Sequence, residues 1–117
     1  MKIIVLGGDG FCGWPTSLKL SKCGHDVLIV DNLSRRKIDK ELKVNSLTPI
    51  KSIDKRVQIW NKINKKKIYF KNIDIVKNYK KLKNIIKSFK ADTVIHFAEQ
   101  RAAPYSMKSI NHMNYTL

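Results

Sequence analysis

An α/β fold, with helices wound on both faces of a parallel sheet, is predicted for this 117-residue chain by three observations. Four short runs rich in β-branched residues recur along the chain. Segments of helical period separate them, so strand and helix alternate in the way that parallel sheets with right-handed crossovers require. A glycine-spaced turn joins the first run to the first helix.

The first run is "KIIVL", Lys2 to Leu6, short, apolar and bounded by Gly7, as a buried strand should be. A helix is expected from about Gly10 to Lys22, with Leu18 and Leu20 on its apolar side. Pro15 is tolerable there because first-turn N–H groups lack helical acceptors, and Gly24 is a natural stop. "DVLIVDN" gives a second strand ending at Val30 or Asp31. Residues 35–67 are polar and Lys-rich, and read as an inserted surface segment. It holds two short helices, near Lys37–Leu42 and Ile53–Ile63, with Trp60 as its aromatic anchor. "KIYFKN" is a third strand. "NYKKLKNIIKSF" is a helix whose Tyr79, Leu82, Ile85, Ile86 and Phe89 share one buried face. "ADTVIHFA" is a fourth strand, with His96 as a hydrogen-bonded core residue, and a helix is expected to begin after Ser106.

At this length the chain is at most one small domain. Its formal net charge of +15, from 24 basic and 9 acidic residues, suits an anionic partner when taken alone. The basic residues are 20 Lys and only 4 Arg, dispersed or in short runs, and the aromatics do not interleave with them. A nucleic-acid stacking platform needs that interleaving, so no nucleic-acid partner is expected. Cys12 and Cys23 form neither a C-x-x-C pair nor a metal-ligand set, and a reducing, cytosol-like compartment follows. No apolar run approaches the ~18 residues of a membrane span, and the start of the chain does not read as a signal peptide.

"VLGGDGFCG" places Gly7, Gly10 and Gly13 at G-x-x-G-x-x-G spacing, directly after a strand and at the opening of a helix. That context makes it a dinucleotide-binding turn of Rossmann type. Gly7 permits the tight turn, Gly10 lets a pyrophosphate approach the backbone, and Gly13 lets the helix pack closely. The free N–H groups and positive dipole end of the helix face the phosphates. Asp31, 18 residues after Gly13, is placed to accept both ribose hydroxyls of an adenosine, which favours NAD over NADP. Arg35 and Arg36 could hold a 2′-phosphate, touch the cofactor's pyrophosphate or adenine, or be solvated. Asp74 and Ile75 could take the adenine edge, with Asp74 equally suited to capping a helix. Cys12, near a helix N-terminus, is expected to pack rather than react.

Three longer strings narrow the family. "GGDGFCGW" (7–14), "VDNLSRRKID" (30–39) with "SLTPI" (46–50), and "HFAEQRAAPYSM" (96–107) together resemble UDP-sulfoquinovose synthases, of the extended short-chain dehydrogenase/reductases within the NAD-dependent epimerase/dehydratase family. The resemblance runs through essentially the whole chain and is weakest at residues 61–90. It departs at Ile73, where the family usually has Gly. It implies an NAD-dependent conversion of UDP-glucose and sulfite to UDP-sulfoquinovose, for sulfolipid head groups, in a cytoplasmic or plastid-stromal enzyme compatible with a homodimer. By position, Gly7, Gly10, Phe11, Cys12 and Gly13 would line the pyrophosphate. Asp31, Asn32, Arg35 and Arg36 would surround the adenosine, Asp74 and Ile75 would meet the adenine, and Phe97 and Ala98 would flank the cofactor. Glu99, Gln100 and Arg101 would face the sugar nucleotide, while Tyr105 and Ser106 could touch substrate or cap the following helix. The residues alone leave open another NAD-dependent nucleotide-sugar epimerase/dehydratase, or a non-catalytic nucleotide-binding module.

The family's proton-transfer pair is Tyr-x-x-x-Lys, in which the Lys lowers the pKa of the Tyr. Tyr79 and Lys83 have that spacing, but they lie on the helix before the fourth strand, where the family does not carry the motif. The pair is therefore expected beyond Leu117. The chain reads as the first half of a doubly wound Rossmann-type sheet, about four strands, with no substrate domain and no turnover of its own.

Overall fold

In the computed structural model, residues 1–99 and 107–113 are described. The strands are β1 (Lys2–Leu6), β2 (Asp26–Asp31), β3 (Ile68–Asn72) and β4 (Thr93–His96). The helices are α1 (Gly13–Lys22), α2 (Ser34–Glu41), α3 (Ile53–Ile63), α4 (Tyr79–Phe89) and a single turn, α5 (Ile110–Met113). All strand pairs are parallel, in the order β3-β2-β1-β4. Ile4 lies between Leu28 and Val94, and Val5 between Ile29 and Ile95.

Side chains alternate across a strand, and here each set has its own helical cover. Ile3, Val5, Val27, Ile29 and Ile68 pack with Ile53 of α3 and with Trp14, Leu18, Val57 and Trp60. Ile4, Leu6, Leu28 and Val30 pack with Ile73 and with Leu82, Ile85, Ile86 and Phe89 of α4. The chain builds outward from β1 to β3 under α1 and α3. It then crosses the opposite face through α4 and pairs β4 with the far side of β1. Strand order therefore reverses between β1 and β4, and in such sheets ligands sit beyond the strand carboxyl ends at that point.

Several expectations change. The fully buried line of α1 is Gly13, Ser17 and Ser21, one turn apart, with Leu18 and Leu20 only flanking it. Small residues let α1 lie close to the sheet, and the polar ones are satisfied: Ser17 donates to the Gly13 carbonyl at 2.8 Å and Ser21 to that of Lys66 at 3.0 Å. Within residues 35–67, α2 buries nothing and starts earlier than expected, whereas α3 is the crossover helix that covers the sheet rather than a surface insertion. Its Ile53, Val57 and Trp60 recur at helical spacing and form its inner side.

Tyr79 is 66 % exposed instead of buried, because it opens α4 ahead of Leu82, the first residue of the helix to reach the sheet. Lys83 is exposed as well, so the Tyr79–Lys83 spacing is an accident of a Lys-rich helix surface. The fourth strand is shorter than expected. It lies at the edge of the described sheet, which leaves Val94 exposed and the His96 side chain 45 % exposed rather than in the core.

Trp60 anchors α3 with more than its ring. Its indole N–H donates to the buried Ser21 hydroxyl at 3.0 Å. Trp60→Phe should lower stability by about 1–2 kcal/mol, through one lost hydrogen bond and a small void. A urea unfolding curve with unchanged slope and a lower midpoint is the expected result.

Candidate functional site

The carboxyl ends of β1, β2 and β4 meet at the glycine turn. Gly7 has φ +78°, and a Cβ there would lie 2.6–2.7 Å from backbone atoms of Phe97 and Ala98. The turn off β1 and the exit of β4 are thus packed backbone to backbone. Gly7 N–H donates to the Val30 carbonyl at 2.8 Å, and Phe97 N–H to that of Leu6 at 2.9 Å, so the ladder continues past the strand ends. Gly13 is confined too, since a Cβ there would meet the Gly7 carbonyl oxygen at 2.2 Å. It seats α1 on the glycine turn itself, a closer partner than the sheet packing expected for it.

Gly10 N–H closes the turn onto the Gly7 carbonyl at 3.2 Å, and Gly10 accepts from Trp14 N–H at 3.1 Å. The N–H groups of Phe11, Cys12 and Gly13 have no acceptor among the described residues. Phe11 and Cys12 are exposed, so Cys12 does not pack in the core as expected. Unsatisfied donors at the start of a ten-residue helix, with the dipole's positive end behind them, suit a phosphate.

Asp31 ends β2 beside this turn. Its Oδ2 accepts from Asp9 N–H at 2.9 Å and its Oδ1 from Leu33 N–H at 2.7 Å. Each oxygen keeps capacity for a further donor, as a ribose diol requires. Burial raises the Asp31 pKa above the usual carboxylate value, and the two backbone donors oppose that rise. Leu33 takes φ +58°, a left-handed conformation held by its bond to Asp31. Asn32 accepts from Ser34 N–H at 2.9 Å, turning the chain into α2.

A residue that no sequence motif singles out organises the site's other wall. Asp9, 4 % exposed, accepts from Arg36 Nε at 2.8 Å and from Arg56 Nη2. Arg56 lies over the Trp14 ring, 4.7 Å from its centroid, and donates to the Lys51 carbonyl at 3.1 Å. Burial draws the Arg56 guanidinium below its ordinary pKa, and the Asp9 charge opposes this. These groups, with Phe11, Arg35 and Ile50, line an open cavity of about 350 Å³ beside the glycine turn. An acid inside the turn together with two arginines downstream was the available signal. It was weak, because Arg56 is 47 positions from Asp9.

The remaining expected residues divide. Asp74 Oδ1 accepts from Val76 and Lys77 N–H, both at 3.1 Å, so it caps the turn before α4. Ile75 and Ala98 pack against the α4-side core and Phe97 against the other. Glu99 is exposed, with its carboxylate 4.0 Å from His96 Nδ1. Gln100, Arg101, Tyr105 and Ser106 lie outside the described residues. No group of three or more His, Cys, Asp or Glu among the described residues could hold a metal, and no described helix is long and apolar enough to cross a membrane.

Residues 3–116 match the NAD dependent epimerase/dehydratase family. The chain is 49 % identical over 115 residues to a chloroplastic UDP-sulfoquinovose synthase of Spinacia oleracea, covering 98 % of this chain and 24 % of that protein. It is 44 % identical over 117 residues to a UDP-sulfoquinovose synthase of Sulfolobus acidocaldarius, covering 100 % of this chain and 30 % of that one. Among solved structures, the UDP-glucose 4-epimerase of Bifidobacterium longum in complex with NAD+ and UDP superposes with a TM-score of 0.69 at 25 % identity, over 98 % of this chain and 30 % of that one. The chain therefore spans between 24 and 30 % of the length of these three proteins.

Proposed function

Because the chain belongs to the NAD dependent epimerase/dehydratase family, we propose that it is the cofactor-holding part of an NAD-dependent UDP-sulfoquinovose synthase, whose substrates are UDP-glucose and sulfite. Two UDP-sulfoquinovose synthases at 44 and 49 % identity over nearly all of its residues support the assignment. The observation that carries the cofactor half is Asp31, with acceptor capacity left on both oxygens, beside a helix start with unsatisfied N–H donors.

Bound NAD would supply a hydride acceptor that can return the hydride to the same sugar. The chain's own part is to bind and orient. Phe11, Cys12 and Gly13 would donate their N–H groups to the pyrophosphate, and Asp31 would accept the adenosine ribose hydroxyls. Phe97 and Ala98, where β4 leaves the sheet, would back the nicotinamide half. Glu99, Gln100 and Arg101 follow directly and would approach the sugar nucleotide. The proton-transferring Tyr and Lys are assigned to the part of the relatives' length that this chain does not span. A homodimer of the full-length enzyme, and a stromal location where the source is photosynthetic, belong to the same reading.

Calorimetric titration with NAD tests the cofactor half, and full-length protein given UDP-glucose with and without sulfite tests the rest. NAD binding and sulfite-dependent product are expected. Sulfite-independent conversion to UDP-galactose would replace the synthase by a 4-epimerase. Arg101→Ala in the full-length protein should reduce sulfite-dependent product far more than cofactor occupancy, and equal loss of both would remove its substrate role.

The raised Asp31 pKa gives a pH dependence. The ionised carboxylate is the form that accepts two hydroxyl donors, so NAD should bind best at neutral pH. Affinity should fall as pH drops through the folded-state pKa, in a window that opens above the ordinary 3.8. In the free protein the sign is opposite. Burying the ionised group costs stability at neutral pH, and that cost fades over the same window. Titrations of NAD affinity and of unfolding midpoint between pH 4 and 7 should therefore diverge.

A further inference from the structure

Asp9 links the ribose-facing carboxylate to two cations from distant parts of the chain. Its backbone N–H holds Asp31 Oδ2, while its side chain holds Arg36 and Arg56. The Arg36 guanidinium is engaged on every side. Nε donates to Asp9 Oδ2 at 2.8 Å, Nη2 to the Asp9 carbonyl at 3.5 Å, and Nη1 lies 3.9 Å from Asp39. Arg56 is likewise committed, to Asp9, to the Lys51 carbonyl and to the face of Trp14.

An arginine shortly after the end of the second strand is what accommodates a 2′-phosphate in dinucleotide sites. Arg36, five residues past Asp31, stands at such a position. The Asp9 and Arg36 charges both reach Asp31, in opposite senses, so releasing Arg36 would change the field at the ribose corner. We infer that Asp9 is a positioning residue that sets nucleotide specificity: it withdraws Arg36 and Arg56 from phosphate recognition and fixes Asp31, so the site takes the unphosphorylated adenosine ribose. This rests on the cofactor reading above. It adds a determinant inside the glycine turn, remote in sequence from the strand end where specificity is usually read. Arg35, exposed beside the same cavity, is free of this restraint. The Asp31 charge opposes a phosphate there.

The test is calorimetric titration of the unsubstituted protein, Asp9→Asn, Arg36→Ala and the double variant with NAD and with NADP. Each fold is checked first by circular dichroism without nucleotide. The unsubstituted protein should prefer NAD. Asp9→Asn should shift the NADP-to-NAD ratio of dissociation constants by about tenfold towards NADP, equivalent to about 1.4 kcal/mol. That gain should vanish in the double variant. Arg36→Ala alone should leave the ratio within about twofold, because its charge is already committed. A folded Asp9→Asn protein with an unchanged ratio overturns the inference. So does an Arg36→Ala protein that selectively loses NADP, which decides the matter even if Asp9→Asn does not fold. If the unsubstituted protein binds neither nucleotide, the cofactor reading fails and the inference with it. NAD binding with an unresponsive ratio overturns the inference alone.

Discussion

Gly7→Ala should abolish cooperative folding of the chain, or lower its stability by about 3 kcal/mol or more. Two effects add. The residue sits at φ +78°, a conformation that costs an L-residue roughly 1–2 kcal/mol. A methyl group there would also press within 2.7 Å of the Phe97 and Ala98 backbone. Backbone packed on both sides cannot yield as a flexible side chain would, and forced insertion into packed sites costs about 1–3 kcal/mol. The displaced element would be the exit of β4, so the junction of β1 and β4 would open and the candidate site with it. Gly24→Ala is the control. It shares a positive φ, +90°, but a Cβ there meets nothing within 4 Å, so only the backbone term of about 1–2 kcal/mol remains. Urea unfolding of the two variants separates crowding from conformation. Equal losses would mean that contact with Phe97 and Ala98 contributes nothing.

Asp9→Ala is the second large effect, expected at about 3 kcal/mol. Removing one member of a buried ion pair costs roughly 3–5 kcal/mol, because the partner keeps its desolvation penalty without compensation. Here one carboxylate serves two guanidinium groups, whose side chains are 27 and 14 % exposed. That partial hydration places the cost at the low end. Asp9→Asn should cost less, since it keeps the shape and one acceptor. The triple variant Asp9→Ala, Arg36→Met, Arg56→Met should recover much of the loss, because burying no charge is cheaper than burying two unpaired ones. Little screening by salt is expected for a network this buried. A loss in Asp9→Ala that vanishes at high ionic strength would mark the contacts as surface pairs.

The network also shows where the sequence stops being legible. The sheet could be read because its signals are local. Period-2 apolar runs, a glycine spacing and Asp31 at the end of a strand each lie within a few residues. The same local signals point His96 and Tyr79 inward. His96 lies between Ile95 and Phe97, and Tyr79 falls on the apolar period of α4, but among the described residues both are largely exposed. β4 stands at the edge of the described sheet, and Tyr79 precedes the part of α4 that reaches it. Periodicity assigns a side, and only packing decides whether that side is covered.

By itself the sequence determined the alternation of strand and helix, the doubly wound parallel sheet this implies, and a glycine turn able to face a phosphate. These follow from propensities and spacings that hold wherever such residues are neighbours in the chain. The tertiary structure alone decided that α3 covers the sheet. It also set small residues, not leucines, as the line of α1 nearest the sheet, and engaged Asp9, Arg36 and Arg56 with one another. The two arginines stand 27 and 47 positions from the acid they share. No local pattern connects them. They meet because a connection between parallel strands must cross the face of the sheet, with a strong right-handed preference, which brings the segment after β2 and the start of α3 together beside the glycine turn.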